Sequence, residues 1–157
     1  MVIDALVALV LYCVGMASVF THIIEGRLPG RFVWRDDRVV AFLSINPVAP
    51  GHVLVVPVEE VDHWVALTPE LWGEIAAVSH AVGGALADAF DAPRIGQMIA
   101  GFEVPHVHVH VFPASTLDDI GFSGADPDPD PAALDAAAER IRVALRARGH
   151  GDRVPPA

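Results

Sequence analysis

Apolar and polar positions alternate most strictly over residues 104–113. There, three histidines alternate with three valines between two prolines. A two-residue period is typical of a β-strand, because successive side chains leave opposite faces of the pleat. The pattern therefore predicts a strand whose valines enter a core and whose histidines form a row on the opposite face. The histidines of the row are His106, His108 and His110.

Three helices and four further strands are predicted around this strand. Residues 18–26 suit a short helix with a serine N-cap and a closing glycine, and residues 68–90 suit a long helix that opens with Thr-Pro-Glu. A third helix is predicted over residues 132–148. The predicted strands cover residues 31–34, 39–45, 53–56 and 94–100. These elements predict one α+β domain with about five largely antiparallel strands, a short N-terminal helix, a long central helix and a C-terminal helix.

Two stretches outside these elements differ from them in composition. The apolar run from Ala5 to Val14 is shorter than the roughly 20 residues of a membrane span and lacks the positive flank of a signal peptide. We interpret residues 1–15 as an extension that arises from the choice of start codon, with a short hydrophobic helix as the alternative. Residues 114–131 are acidic and proline-rich, which indicates a mobile or extended linker. The predicted organisation is an extension (1–15), a domain (16–113), a linker (114–131) and a helix with a tail (132–157).

Charge and cysteine content narrow the possible partners. A net charge of −10 argues against nucleic acid as a partner. The single cysteine, Cys13, excludes an intramolecular disulfide and a cysteine-based zinc site, which favours a reducing compartment. We therefore predict a cytoplasmic protein that binds no membrane. The row of histidines is long enough to follow a small-molecule substrate.

A row of histidines offers three kinds of chemistry: a base that titrates near neutral pH, a nitrogen nucleophile, or a set of metal ligands. Two histidines of the row could share a metal ion, but further ligands would have to come from elsewhere. Group transfer by imidazole is the preferred interpretation, and a metal site or an exposed face without function are the alternatives. His52 opens a very apolar strand directly after the rigid loop 46–51 and is a plausible fourth member of the group.

The stretch from about Val19 to Pro113 resembles the histidine triad (HIT) family. The histidine strand, with its ending Val-Phe-Pro, is similar to the family signature. Further matching positions are Phe20, Ile23-Ile24, Leu28-Pro29, Asp36-Asp37, Ala41-Phe42-Leu43, Ile45, residues 47–52 and the apolar strand that ends at Pro57. The resemblance implies a HIT-like fold and a homodimer, with no metal or other cofactor in the reaction.

The resemblance also implies a nucleotide hydrolase or transferase, such as a purine nucleoside phosphoramidase. Such an enzyme acts at the α-phosphate of a nucleoside phosphoramidate, a dinucleoside polyphosphate or a related nucleotide. His108 would be the nucleophile and form a nucleotidyl-histidine intermediate, His110 would hold phosphate oxygens, and His106 and His52 would orient the nucleophile and manage protons. The implied nucleotide-binding residues are Phe20, Ile23, Phe42 and Ile45 for the base, Ser44 for the ribose, and Gly101 and Glu103 near the phosphate.

Two departures from the family pattern bear on function. Gly101-Phe102-Glu103 stands where members often have Gly-Gln-Ser or Gly-Gln-Thr, so a carboxylate replaces a hydroxyl that would meet the phosphate or leaving group. A carboxylate there repels an anion unless it points away, is protonated or meets a cationic leaving group. Ser18-Val19-Phe20-Thr21 stands where many bacterial members carry Cys-x-x-Cys, so we expect no structural zinc. A non-catalytic purine-nucleotide-binding module and a histidine-ligated metalloprotein remain as alternatives.

Overall fold

The sheet at the centre of the molecule has five strands. The structure is a computed structural model, and it describes residues 17–156. The strands are β1 (Phe32–Arg35), β2 (Val39–Leu43), β3 (Val53–Pro57), β4 (Arg94–Met98) and β5 (Val109–Ala114). They pair in the order β1-β2-β3-β5-β4, and each neighbouring pair is antiparallel. The predicted α+β fold with a five-stranded antiparallel sheet is confirmed.

The helices begin where the sequence provides capping side chains. They are α1 (Val19–Ile24), α2 (Pro69–Ala89) and α3 (Pro131–Ala147). Ser18 accepts a hydrogen bond from the Thr21 backbone, and Thr68 accepts one from the Leu71 backbone. Asp130 caps α3 in the same way. Each cap satisfies a backbone N–H that has no acceptor within its own helix.

The two faces of the sheet are buried by different elements. On one face, alternate residues such as Val55 and Val109 join the main core with Ile75 of α2 and Ile141 of α3. On the other face, the intervening positions of β2 and β3 form a second apolar cluster with Phe20 and Ile24 of α1. His110 belongs to this second face, because it pairs with Leu54 across the ladder. The histidines therefore share a face with α1, while α2 and α3 support the sheet from behind.

The histidine strand is shorter than its alternation predicts. Pairing with β3 ends at Val109, so His106 and His108 lie before the ladder begins. Pro105 has no N–H to donate, and the His106 N–H bonds to the Val104 carbonyl at 2.8 Å. The segment before Val109 is therefore irregular rather than a strand.

The features predicted for residues 1–15, Cys13 included, lie outside the described residues. Within residues 17–156, no helix combines the length and the apolar character that crossing a membrane requires.

Candidate active site

The loop after β2 fixes the orientation of His52. Gly51 has a φ of 88° and lies so close to the Phe90 ring that a Cβ there would come within 2.7 Å of it. The Val48 N–H donates to His52 Nδ1 at 3.1 Å. Because Nδ1 accepts, the proton of neutral His52 is on Nε2, which donates to His110 Nδ1 at 2.9 Å. His110 therefore carries its own proton on Nε2 and keeps that N–H as a donor.

His106 is fixed at both ring nitrogens and is fully buried. Its Nε2 lies 2.8 Å from the Pro57 carbonyl, which can only accept, so this nitrogen carries the proton. Its Nδ1 then accepts from the Ser18 hydroxyl at 2.7 Å. The ring thus connects the start of α1 to the end of β3.

A carboxylate completes this connection. Glu60 accepts hydrogen bonds from the Ser18 backbone N–H at 2.9 Å and from the Thr21 hydroxyl. These bonds hold the pKa of Glu60 below its usual range, against the opposing effect of partial burial. The two hydroxyls and the carboxylate do not fit a structural zinc site, which proteins build from thiolates and imidazoles. Within residues 17–156, no cluster of three or more His, Cys, Asp or Glu side chains is placed to hold a metal ion.

His108 has one nitrogen bound and one available. Its Nδ1 lies 2.7 Å from the His106 carbonyl and must therefore be the donor. The neutral ring then has a lone pair on Nε2. Its neighbours are the His110 ring, at 4.9 Å between centroids, and the Phe20 ring, also at 4.9 Å in an edge contact. The His52 ring lies 5.1 Å from the other side of His110, so the rings of His108, His110 and His52 are neighbours, and of the three only His110 belongs to a strand.

Burial keeps all four imidazoles neutral at physiological pH. Desolvation, followed by the repulsion that His108 would exert, lowers the pKa of His52 to about 4. The same two causes, with a further contribution from His52, lower the pKa of His110 to about 3. Desolvation also lowers the pKa of His106 and His108. The arrangement therefore offers a neutral nitrogen nucleophile on His108 beside an N–H donor on His110.

A cavity of about 110 Å³ opens beside these histidines. Of the predicted residues, those that line it are Ser44, His52, Gly101, Glu103, His108 and His110. Phe20 and Phe42 lie instead in the second apolar cluster, where they are almost fully buried, and Ile23 packs against that cluster. Ile45 is 60% exposed. His106 lies behind the cavity wall, where its carbonyl holds His108.

Part of the cavity wall comes from the segment that the sequence indicates as a linker. Residues 120–126, here named the crossing segment, follow β5 in the chain. They lie across the sheet from β4, over His110, to the loop after β2. Ile120 packs on Gly96, where a Cβ would lie 2.8 Å from the Ile120 side chain, and the Phe122 ring lies 4.8 Å from the His110 ring. Asp126 then bonds to the loop through its backbone N–H and carbonyl. The remaining lining residues, which are not among the predicted site residues, are Asn46, Leu54, Ala100, Phe102 and Ala125.

Comparison with known proteins shows the family of this chain. The sequence model of the protein family described as HIT domain matches residues 25–117. The chain belongs to the HIT family. An uncharacterized HIT-like protein of Methanocaldococcus jannaschii is 37% identical over 99 residues, which are 60% of this chain and 77% of the relative.

Two solved HIT structures are similar along most of their length. A zinc-bound histidine triad family protein from Mycobacterium smegmatis superposes with a TM-score of 0.73 at 26% identity, covering 87% of this chain and 98% of the other. A HIT family hydrolase from Legionella pneumophila gives 0.55 at 25% identity, covering 64% and 96%. Membership of the HIT family supports a nucleotide-binding or hydrolytic role.

Proposed function

We propose that this HIT protein transfers a nucleotidyl group from the α-phosphate of a nucleoside phosphoramidate, dinucleoside polyphosphate or related nucleotide to water or another acceptor. The observation that carries the proposal is the tautomer and neutral charge of His108, a residue that lines the cavity. The His106 carbonyl holds the proton on Nδ1, which leaves a lone pair on Nε2, and burial lowers the pKa of the ring. A neutral imidazole in this state is a good nucleophile near pH 7.

The reaction proceeds in two displacements at phosphorus. The lone pair of His108 Nε2 forms a bond to phosphorus, the bond to the leaving group breaks with its electron pair, and the leaving group takes a proton from solvent. Water then attacks phosphorus, the P–N bond breaks, the electron pair returns to Nε2, and the proton of the water passes to solvent. Dividing one difficult displacement into two easier ones is the advantage of a covalent intermediate.

The other histidines stabilise charge in these steps. The Nε2–H of His110 donates to a non-bridging phosphate oxygen, and the hydrogen bond from His52 holds His110 in that tautomer. When His108 carries phosphorus, its ring becomes cationic, and its Nδ1–H bond to the His106 carbonyl strengthens. His106 and His52 thus act on the nucleophile and on the phosphate through hydrogen bonds.

The nucleoside is proposed to lie toward β2 and β3. Ser44 contacts the ribose, and the base lies against the apolar side chains of Ile23 and Ile45, with Phe20 and Phe42 packed as their support. Gly101, with a φ of 82°, and the backbone that follows approach the phosphate. A cytoplasmic location and a homodimer are part of the proposal. The dimer is supported by β4, which lies at the edge of the sheet, where a second copy can pair. Light scattering at the mass of one chain would contradict the dimer.

The proposed function is tested by trapping the intermediate. The protein is incubated briefly with adenosine phosphoramidate, quenched at high pH and measured by intact mass and peptide mass spectrometry. We expect an added AMP on the peptide that carries His106 to His110. AMP binding with neither an adduct nor AMP release would instead support a nucleotide-binding module, an alternative favoured by the carboxylate of Glu103 in the cavity wall.

Ser18→Ala is expected to lower both stability and turnover. The variant loses the N-cap of α1 and leaves the buried Nδ1 of His106 without its donor, at a cost of about 1–3 kcal/mol in the free energy of unfolding. Because His106 positions His108, turnover of adenosine phosphoramidate should fall by roughly tenfold. Urea unfolding and steady-state kinetics measure the two effects.

Thr68→Ala is the matched control for this variant. Thr68 caps α2 as Ser18 caps α1, but its hydroxyl has no contact with a histidine of the cavity. The control should lose about 1 kcal/mol of stability and retain its turnover. Equal turnover in the two variants would contradict a role for Ser18 in positioning His106.

A further inference from the structure

The strand order separates the two ends of the cavity. His110 on β5 pairs with Leu54 of β3 on one side and with Met98 of β4 on the other. Ser44 follows β2, beyond β3, whereas Gly101 to Glu103 follow β4. The nucleoside, proposed to lie toward Ser44, and the leaving group are different substituents of the same phosphorus, so the leaving group takes the remaining part of the cavity, toward the bend after β4.

Two aromatic side chains line the cavity from His110 to the bend after β4. Phe102 is 97% exposed although it lines the cavity, and Phe122 of the crossing segment is 41% exposed with its ring against His110. The backbone bonds of Asp126 to Asn46 and Pro47 hold the crossing segment in place. An aromatic face at a cavity mouth attracts an organic cation through the negative charge of its π-system.

The charge of the lining residues also favours a cation. They include Glu103 but neither lysine nor arginine, and burial keeps the lining histidines neutral. The charge of Glu103 also acts on His108, where it partly offsets the lowering of the pKa by burial. A leaving group that carries several phosphates would bring like charges next to this carboxylate, whereas an ammonium group would be attracted.

We propose that Phe102, Glu103 and Phe122 form a leaving-group subsite. This subsite selects phosphoramidates whose amine carries a second, positively charged group over substrates whose leaving group is anionic. The inference rests on the proposed function and specifies its substrate class. In the reaction, the P–N bond of the phosphoramidate breaks, its electron pair goes to the amine nitrogen, and that nitrogen takes protons from solvent and departs as an ammonium ion.

A series of three substrates that differ in one terminal group tests the inference. The adenosine phosphoramidates of diaminopropane, butylamine and γ-aminobutyrate end in an ammonium, a methyl and a carboxylate group on chains of similar length. We expect kcat/KM to fall in that order, by about tenfold from the first to the last. Glu103→Gln should reduce this span to about twofold, and Phe122→Leu should lower kcat/KM most for the ammonium compound.

Glu74→Gln is the matched control, because Glu74 is an exposed carboxylate of α2 that pairs with Arg38 rather than with the cavity. It should keep the wild-type order and span. A flat wild-type series accompanied by an AMP adduct would overturn the inference and leave the proposed function intact. If none of the three compounds is cleaved, the inference is overturned. If adenosine phosphoramidate and a dinucleoside polyphosphate also give neither AMP release nor an adduct, the proposed function is overturned with it. Should Glu103→Gln fail to fold, the wild-type measurements alone still distinguish these outcomes.

Discussion

His108→Asn is expected to reduce turnover of adenosine phosphoramidate by on the order of a thousandfold or more and to abolish the AMP adduct. Asparagine is close in size to histidine, and its amide can still donate to the His106 carbonyl. It has no nitrogen lone pair that can attack phosphorus, so the covalent route is lost while the cavity is kept. Steady-state kinetics and intact mass measure the two effects, and AMP titration should show binding within a few-fold of wild type.

His80→Asn is the control for this substitution. His80 lies exposed on α2, so the same chemical change occurs away from the cavity. This control should retain turnover within about twofold, since substitutions on an exposed surface away from a functional site usually have little effect. If His108→Asn kept a tenth of wild-type turnover, nucleophilic catalysis by His108 would be excluded.

The free energy of unfolding is expected to fall steeply as the pH drops from about 6.5 to about 4. The pKa of His52 is about 4 and that of His110 about 3 in the folded protein, against 6.5 for an unperturbed histidine. Between these values the unfolded chain binds protons that the folded chain does not, so stability that is fully present above pH 6.5 is lost on acidification. Each histidine contributes roughly 1.4 kcal/mol per pH unit, which gives a loss of several kcal/mol.

Urea unfolding at intervals between pH 7.5 and 4.5 measures this slope, and the window lies above the titration of most carboxyl groups. His52→Asn should be less stable at neutral pH, because it leaves His110 Nδ1 without its donor. Its slope between pH 6.5 and 4.5 should nevertheless be shallower than in wild type. His80→Asn should keep the wild-type slope. Equal slopes for His52→Asn and wild type would contradict the assigned origin of the acid sensitivity.

The helices and the sheet were predictable because their signals are local. The Thr68 cap and the apolar stripe of α2, from Leu71 to Leu86, are readable within one turn or two of the helix, and the stripe is buried as its spacing indicates. The strict alternation over residues 104–113 placed the histidines in one row but overestimated the strand. Its pairing with β3 stops at Val55 and Val109, although β3 continues to Pro57, and Pro105 cannot donate to a ladder.

The parts of the cavity that were missed depend on distant contacts. Ser18 meets His106 across 88 positions, and Asn46 meets Asp126 across 80. The acidic, proline-rich composition of residues 114–131 indicated a linker, yet Ile120 and Phe122 within it pack on the sheet and on His110. Local composition says how readily a segment can be ordered, but it carries no information about a surface that the rest of the chain provides.

The proton positions in the cavity depend on the main chain. The Val48 N–H and the carbonyls of Pro57 and His106 determine which nitrogen of each imidazole carries hydrogen. A peptide group remains the same when its side chain changes, except that proline at position 48 would remove the donor. The tautomers are therefore robust to mutation of most surrounding positions. A sequence can drift far from its ancestors and keep this proton arrangement, provided that the backbone path and the histidines themselves persist.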